Sequence, residues 1–486
     1  MATTEAPSVD SALAVDVRGL VEVARDAQRE WWALRAAGRS RVLAEAARIA
    51  RNRADEIVDT IVAETGKPRT EAIANELYTA VDHASWLAKH AHRILADERV
   101  RFSQLHLKTK KAWLVHEPLG VVAAVTPWNV PFAIPFAQVA TAIAAGNGVV
   151  LKPSELTPLS GEWVGRVFRE AGAPAGLVQV AHGEAALGEA IVADAGIAKV
   201  FFTGSVSVGR RVAAAAGARG CPVVLELGGK DPMLVFADAD LDRAVEGALF
   251  ASFLNAGQAC VSAERIYVER PLLDEFSRRL IEGARRLELG KDVGPLISER
   301  QRDSVERISG AARGDRDGWF IEPTVIRGAL PDEEIFGPVV TVEPFDDEAD
   351  AVRRANDTEF GLAASVWSSD LAKADRVARS IDAGMVWVND FGYSFTIGQA
   401  PWGGVKASGF GRTSSKHGLY GCVQIKYLDS DRGRLRPAWW FPYDAPTERA
   451  LRALLDVLYG TRPERVRAAW RHRRDLVHAA KRSLGR

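Results

Sequence analysis

Cys260 ends the run Asn255-Ala256-Gly257-Gln258-Ala259-Cys260, and Glu226 heads Glu226-Leu227-Gly228-Gly229-Lys230 upstream. A thiol and a carboxylate, each set in a glycine-marked turn, suit one covalent mechanism. The thiolate attacks a carbonyl carbon, and the carboxylate activates the water that later releases the acyl group. Asn129, in Thr126-Pro127-Trp128-Asn129, offers a side-chain amide to the oxygen that turns negative as sulfur adds, a donor worth about 3 kcal/mol of barrier. Taken singly, each residue has a plainer reading. A lone cysteine is most often a small buried hydrophobe, and an asparagine in a turn usually caps its own loop.

A nucleotide site reads from strand ends. Phe202-Thr203-Gly204-Ser205 closes a β-like run and is followed by Gly209 and a helical stretch from Arg210 to Ala216. A glycine turn opening a helix presents free N–H groups and the positive helix end to a pyrophosphate. On its own this spacing is ordinary loop chemistry. Lys152-Pro153-Ser154-Glu155 follows another strand, where Lys152 and Glu155 are placed to hold ribose hydroxyls. In isolation the two read as a solvated pair.

Together, the Glu226–Lys230 and Gly257–Cys260 motifs at this separation resemble the signature of the NAD(P)-dependent aldehyde dehydrogenase superfamily. The resemblance runs from about residue 15 to residue 428. It implies an α/β fold: a Rossmann-like cofactor domain, an α/β catalytic domain and a small β oligomerisation element. The expected division is 1–103 with 119–228 for NAD binding, 104–118 with 417–430 for oligomerisation strands, 229–416 for catalysis and 431–486 for a C-terminal helical extension. Trp128, Lys152, Ser154, Glu155, Gly204, Ser205, Gly209, Leu227 and Gly228 fall on the family's cofactor motifs. Glu334-Ile335-Phe336-Gly337-Pro338 matches the segment that grips the nicotinamide end, with Glu334 on the ribose and Phe336 beside the ring. The glycine-rich stretch from Pro401 to Arg412 matches the family near the end of its catalytic domain and is expected to be structural, with Trp402 where Phe is usual.

The implied chemistry has Cys260 adding to an aldehyde, Asn129 and the Cys260 backbone N–H holding the oxyanion, and hydride passing to the nicotinamide. Glu226 then activates water, which hydrolyses the thioester to a carboxylic acid. A base at Glu226 separates this reading from members that pass the acyl group to coenzyme A. Glu155 would repel a ribose 2′-phosphate, so NAD is the expected cofactor and NADP the alternative.

The elements that must position these residues follow from composition and pattern. At 486 residues, with 47% hydrophobic and 26% charged, the chain is long enough for two or more globular cores. Lys+Arg and Asp+Glu cancel at 63 each, so no global field favours nucleic acid. Cys221, Cys260 and Cys422 are too widely spaced for a disulfide framework or metal cluster, which fits a reducing cytoplasm. Residues 16–98 are helical in pattern, with Trp31, Leu34, Leu43, Ala46 and Ile49 at helical spacing. Strands are expected at 121–125, 149–151, 177–180, 200–203 and 223–225, and in a second series from about Pro232 to Asp390, near 266–268, 339–342 and 385–388. Alternation of strands with helices means parallel sheets. Residues 105–115 read as a polar hairpin outside both series. The uncharged stretch from Gly120 to Leu151 is long enough to span a bilayer, but Pro127, Pro131 and Pro135 break it; it reads as strand, turn, helix, strand.

Departures from the family concern length and substrate. The chain is short between Gly290 and Glu334, with loops trimmed at 310–318 and 325–333. Beyond Leu428 an extension starts aromatic (Trp439, Trp440, Phe441, Tyr443) and ends basic, with nine Arg or Lys against two acids from Thr461 to Arg486. An extra helical pair with a solvated basic face is the first reading, and docking to a membrane surface or partner the second. The helix after Asn129 is expected to line the aldehyde tunnel. Ala137 stands there where succinate-semialdehyde members place an Arg, so the substrate is expected to be apolar: aliphatic, aromatic or long-chain, including fatty and apocarotenoid aldehydes. A succinate-semialdehyde enzyme is the alternative. A catalytically retired binding protein would have lost one of Cys260, Glu226 or Asn129. The expected assembly is a homodimer or homotetramer through two bridging strands.

Overall fold

The computed structural model describes residues 15–102, 107, 109–433 and 436–483. Two compact units divide the chain, Met1–Ala96 with His116–Gln424 and Asp97–Val115 with Ile425–Arg486. In chain order the strands are β1 (Glu98–Val100), β2 (Lys110–Pro118), β3 (Val121–Val125), β4 (Gly148–Lys152), β5 (Val178–Val180), β6 (Ile197–Thr203), β7 (Val223–Glu226) and β8 (Asp231–Val235). They continue as β9 (Ala263–Glu269), β10 (Thr324–Arg327), β11 (Val339–Phe345), β12 (Ala363–Trp367), β13 (Met385–Val388), β14 (Gly409–Phe410) and β15 (Val423–Asp431).

The first unit is α/β and holds two six-stranded sheets. In the first, ordered β14-β7-β6-β3-β4-β5, every pairing is parallel except the edge strand β14. Its strands are apolar without interruption because both faces are covered. Side chains alternate across the sheet: Val122 and Ala124 pack with Phe132, Phe136 and Phe168, whereas Val121 and Ala123 pack with Val21, Ile191 and Val212. The second sheet, β10-β11-β9-β8-β12-β13, is parallel throughout. It repeats the alternation, with Met233 and Val235 on one face and Leu234 and Phe236 on the other.

Residues 17–94 form helices Val17–Ala33, Arg35–Asn52, Ala54–Thr65 and Tyr78–Ile94, with a π-helical turn at Ala72–Leu77. Trp31 is fully buried, and its indole donates to the Ile143 carbonyl at 2.7 Å. Leu34 departs from the expected helical face: it caps a helix end at the junction with the next and is exposed. The uncharged stretch folds as β3, a turn, the buried helix Ala133–Ala144 and β4. Among the described residues, no helix is long and apolar enough to cross a membrane. Residues expected in a trimmed loop after Val325 begin instead in β10, which pairs with β11.

In the second unit, β1 pairs antiparallel with β2, and β2 lies beside β15. The expected hairpin over 105–115 thus supplies a strand from Lys110 onward; its residues 105, 106 and 108 lie outside the described residues. The extension folds as three helices rather than two, Ala445–Tyr459, Arg462–Arg471 and Arg473–Ser483.

Candidate active site

Cys260 is delivered by a turn that glycine and two unusual backbone conformations make possible. Asn255 and Ala256 take left-handed φ of 53° and 55°, and Gly257 follows at 70°. Left-handed non-glycine residues cost about 1–3 kcal/mol each, so the surroundings must hold them. They do so by hydrogen bonds. Both oxygens of Glu71 accept the Asn255 N–H at 3.1 Å, and Asn255 Nδ2 donates to the carbonyls of Asn129 and Gln258 at 3.0 Å. The Gln258 side chain spans from the Asn255 carbonyl at 3.0 Å to the Ile297 N–H at 2.9 Å. A Cβ on Gly257 would lie 2.0 Å from the Gly337 carbonyl oxygen, which restricts the position to glycine.

Asn129 is buried in the turn after β3, and its Nδ2 donates to the Gln258 carbonyl at 3.1 Å. The backbone carbonyl of Asn129 accepts from Lys67 Nζ at 2.8 Å. Lys67 in turn pairs with buried Glu76 at 2.7 Å, and Glu76 accepts the Phe132 and Ala133 N–H groups that open the next helix. Lys67, Glu71 and Glu76 were not singled out from sequence. No spacing rule ties residues 67–76 to 129 or 255, and charges on a helical stretch ordinarily face solvent.

Glu226 ends β7 and is buried with neither carboxylate oxygen hydrogen-bonded. Burial raises its carboxyl well above the usual range, with Arg412 acting weakly the other way. The glycine-rich stretch folds against it: Gly409 pairs with Glu226 across β14, and a Cβ on Gly403 would lie 2.9 Å from Glu226 Oε1. Burial also pushes the Cys260 thiol far up, reinforced by the charges of Asp231, Glu226 and Glu334, while its own backbone N–H favours the thiolate.

Three cavities meet at Cys260. The first, about 450 Å³, is walled by Trp128, Glu155, Gly204, Ser205, Glu226, Leu227, Gly228, Glu334 and Phe336. Lys152, Ser154 and Gly209 stand behind that wall. Lys152 Nζ reaches Glu155 at 3.2 Å, Ser154 Oγ accepts from the Leu156 N–H at 3.3 Å, and Gly209 lies under Leu227 with no room for a Cβ. Glu334 Oε1 accepts the Gly229 N–H at 3.0 Å, and a Cβ on Gly228 would lie 2.4 Å from its other oxygen. Burial and the nearby Glu264 raise the Glu334 carboxyl to about 8. Phe336 takes a left-handed φ of 52° and meets the Trp128 ring edge-on at 5.5 Å. The backbone there is gripped by buried Glu264, which accepts the Ile335 and Phe336 N–H groups and pairs with Lys230 at 3.0 Å.

The second cavity, about 260 Å³, is mostly aromatic and aliphatic, with Val130, Ile134, Phe250, Phe391, Phe395 and Trp402 in its wall. Two features of this cavity differ from the sequence reading of an aldehyde tunnel. Ala137 does not line it, and Lys67 and Glu71 do. Burial raises the Glu71 carboxyl to about 7 against the opposing pull of the Asn255 N–H and Lys67. Ala137 lines the third cavity instead, about 30 Å³, beside His83, Gln138, Glu226 and Ser414. His83 Nε2 and Gln138 Oε1 are buried without partners.

The chain has known counterparts. Residues 2–428 match the aldehyde dehydrogenase family. The chain is 41% identical over 428 residues to a 4,4′-diapolycopene aldehyde oxidase of Methylomonas sp, covering 84% of this chain and 80% of that protein. It superposes on the crystal structure of betaine aldehyde dehydrogenase from Staphylococcus aureus in complex with NAD+ at a TM-score of 0.82. That match is 33% identical and covers 88% of this chain and 89% of the other. The chain belongs to the aldehyde dehydrogenase family, oxidoreductases that act on aldehydes.

Proposed function

We propose that this chain oxidises an apolar aldehyde to a carboxylic acid with NAD as acceptor, through covalent intermediates on Cys260. The observation that carries the reading is the meeting of three cavities at one thiol. One suits a dinucleotide, one a hydrocarbon chain and one a single water.

The first cavity fits NAD on its own geometry. Gly204 and Ser205 open the helix Val206–Gly217, whose N–H groups suit a pyrophosphate. Glu155 and Lys152 are assigned to one ribose, Glu334 to the other, and Phe336 to the nicotinamide end. When bound, NAD supplies the hydride acceptor.

Cys260 releases its proton to solvent water, and its sulfur bonds the aldehyde carbon. The second N–H of Asn129 Nδ2 and the Cys260 backbone N–H receive the resulting oxyanion. Departure of the C–H hydride leaves a thioester on Cys260. A water of the third cavity then attacks the thioester carbon while Glu226 takes its proton. The acid leaves and the sulfur is reprotonated. Burial favours the neutral form of both groups at rest, which avoids two unpaired buried charges. Each is charged only at its own step.

The aromatic second cavity supports an apolar substrate, in keeping with the aldehyde for which the Methylomonas relative is named. A homodimer or homotetramer and the cytoplasm complete the reading, the latter supported by three free cysteines. The test is a panel of aldehydes with NAD, following reduced nicotinamide and acid together. Equal yields of both are expected. No reduced nicotinamide with any aldehyde would overturn the reading in favour of a retired binding protein.

A further inference from the structure

The second unit leaves several of its large apolar side chains exposed. In the helix Arg462–Arg471 the single buried residue is Ala468, whereas Val466 and Trp470, one turn apart, are 70% and 71% exposed. The helix Arg473–Ser483 buries none of its residues, and Val477 is exposed on it. Tyr459, at the end of the preceding helix, is 72% exposed, and that helix buries only Thr447, Ala450 and Ala453. A helix on a globular body turns its large apolar residues inward. This one does the reverse.

Charge is arranged to match. The two helices from Arg462 to Ser483 hold eight Arg or Lys against two acids. Both acids are engaged within the unit: Glu464 closes the capping box with Thr461 at 2.7 Å, and Asp475 takes Arg449 at 3.0 Å. Ion pairs in this stretch involve Arg449, His472, His478 and Arg482, and among the described residues none involves Arg462, Arg471, Arg474 or Lys481. Arg473 lies over the Trp470 ring at 4.6 Å.

We infer that this face docks on an anionic lipid bilayer, with Val466 and Trp470 in the headgroup boundary and the flanking arginines on lipid phosphates. Basic residues interleaved with exposed Trp, Tyr and aliphatic side chains are the composition of an interfacial helix, and arginine stems reach the headgroups from the rim of the apolar face. A second copy of the same face would bring like charges together, which disfavours self-association here. A nucleic acid would satisfy the arginines but leave Val466 and Val477 without apolar partners.

The test uses the full chain and vesicles of phosphatidylcholine, with and without phosphatidylglycerol, in a flotation assay. Binding is expected only with the anionic lipid and is expected to weaken as salt rises. Each basic side chain near such a surface contributes about fivefold, so the Arg462→Gln, Arg471→Gln, Arg474→Gln triple variant should lose about a hundredfold in partitioning. Val466→Ser with Trp470→Ser should lose binding as well. All these residues are exposed, so both variants should keep wild-type turnover of a water-soluble aldehyde. Three results would overturn the inference: equal binding to neutral vesicles, binding to an RNA but not to vesicles, or a change of oligomeric state in the Val466/Trp470 variant.

Discussion

Glu71 holds the backbone N–H of Asn255 with both carboxylate oxygens, at 3.1 Å each, across 184 residues of chain. The same carboxyl lines the aromatic cavity beside Cys260. Glu71→Ala removes the anchor of a left-handed turn and should lower kcat/KM about tenfold or more. Glu71→Gln keeps one acceptor and should retain most activity. The pH dependence carries a definite sign. Folding raises this carboxyl from 4.5 to about 7, so between those values the folded chain holds a proton that the unfolded chain has released. Stability therefore falls as pH rises through that window. Glu71→Gln lacks the titration, and at pH above 7 it should exceed wild type by about 1–2 kcal/mol, a figure reduced for exposure to the cavity. Denaturation of both proteins across the window checks this; parallel curves would remove Glu71 as the titrating group.

The proposed nucleophile and hydrolytic base should separate kinetically. Cys260→Ala should abolish oxidation. Glu226→Gln should give a burst of reduced cofactor equal to the enzyme present and then stall with an acyl group on Cys260, visible by mass spectrometry. Burial holds the Glu226 carboxyl well above its ordinary value, so it is a base only once deprotonated. Hydrolysis-limited turnover should rise with pH through that ionisation, and the limb should vanish in the Gln variant. Steady turnover by Glu226→Gln would reassign the base.

Cofactor choice is expected to rest on Glu155. It lines the first cavity and is paired with Lys152 at 3.2 Å, which softens but does not cancel its charge. A ribose 2′-hydroxyl can donate to it, and a 2′-phosphate meets repulsion. The expected kcat/KM is higher with NAD than with NADP, and Glu155→Gln should narrow the ratio. A wild-type preference for NADP would reject the assignment.

Assembly is expected through β15. Eight of its nine residues are exposed, among them Ile425, Tyr427 and Leu428. An exposed edge strand left in this state invites uncontrolled pairing, which a closed homodimer or dimer of dimers prevents. Light scattering should report a mass of two or four chains, and Tyr427→Lys should shift it toward one. A monomeric wild type at micromolar concentration would contradict this.

Much of this is legible in the sequence because strands covered on both faces leave uninterrupted apolar runs. Val121–Val125 and Met385–Val388 were bounded in sequence as they fold. β8 and β12 carry no such boundary: β8 starts one residue after the glycine pair of its motif, and β12 continues from a loop through Gly361 with no polar break. The thiol and carboxyl were legible through their glycines, each required by a close approach such as that of Gly257 to Gly337. The Lys67–Glu76 and Lys230–Glu264 pairs were not. Their partners are mostly backbone groups distant in sequence, and burial alone distinguishes them from surface charges. Ala137 shows the limit of reading a helix by position, since the helix turns it toward Glu226 and away from the tunnel.

Substrate choice is expected to follow from the second cavity. Its aromatic and aliphatic wall gains from burying hydrocarbon, at about 25 cal/mol per Å² of apolar surface. The polar groups in that wall do not suit a distal carboxylate. Lys67 is already held by Glu76 and the Asn129 carbonyl, and Glu71, once ionised, would repel a second carboxylate. Alkanals and benzaldehyde should therefore exceed succinate semialdehyde in kcat/KM by at least tenfold, about 1.4 kcal/mol of transition-state discrimination. Glu71→Gln should narrow that gap by improving succinate semialdehyde alone, and the effect should grow as pH rises past 7, where the wild-type carboxyl is charged. A profile led tenfold by succinate semialdehyde would mean that a cation outside this cavity holds its carboxylate. The apolar assignment would then fall, while the roles of Cys260 and Glu226 would stand on their own tests.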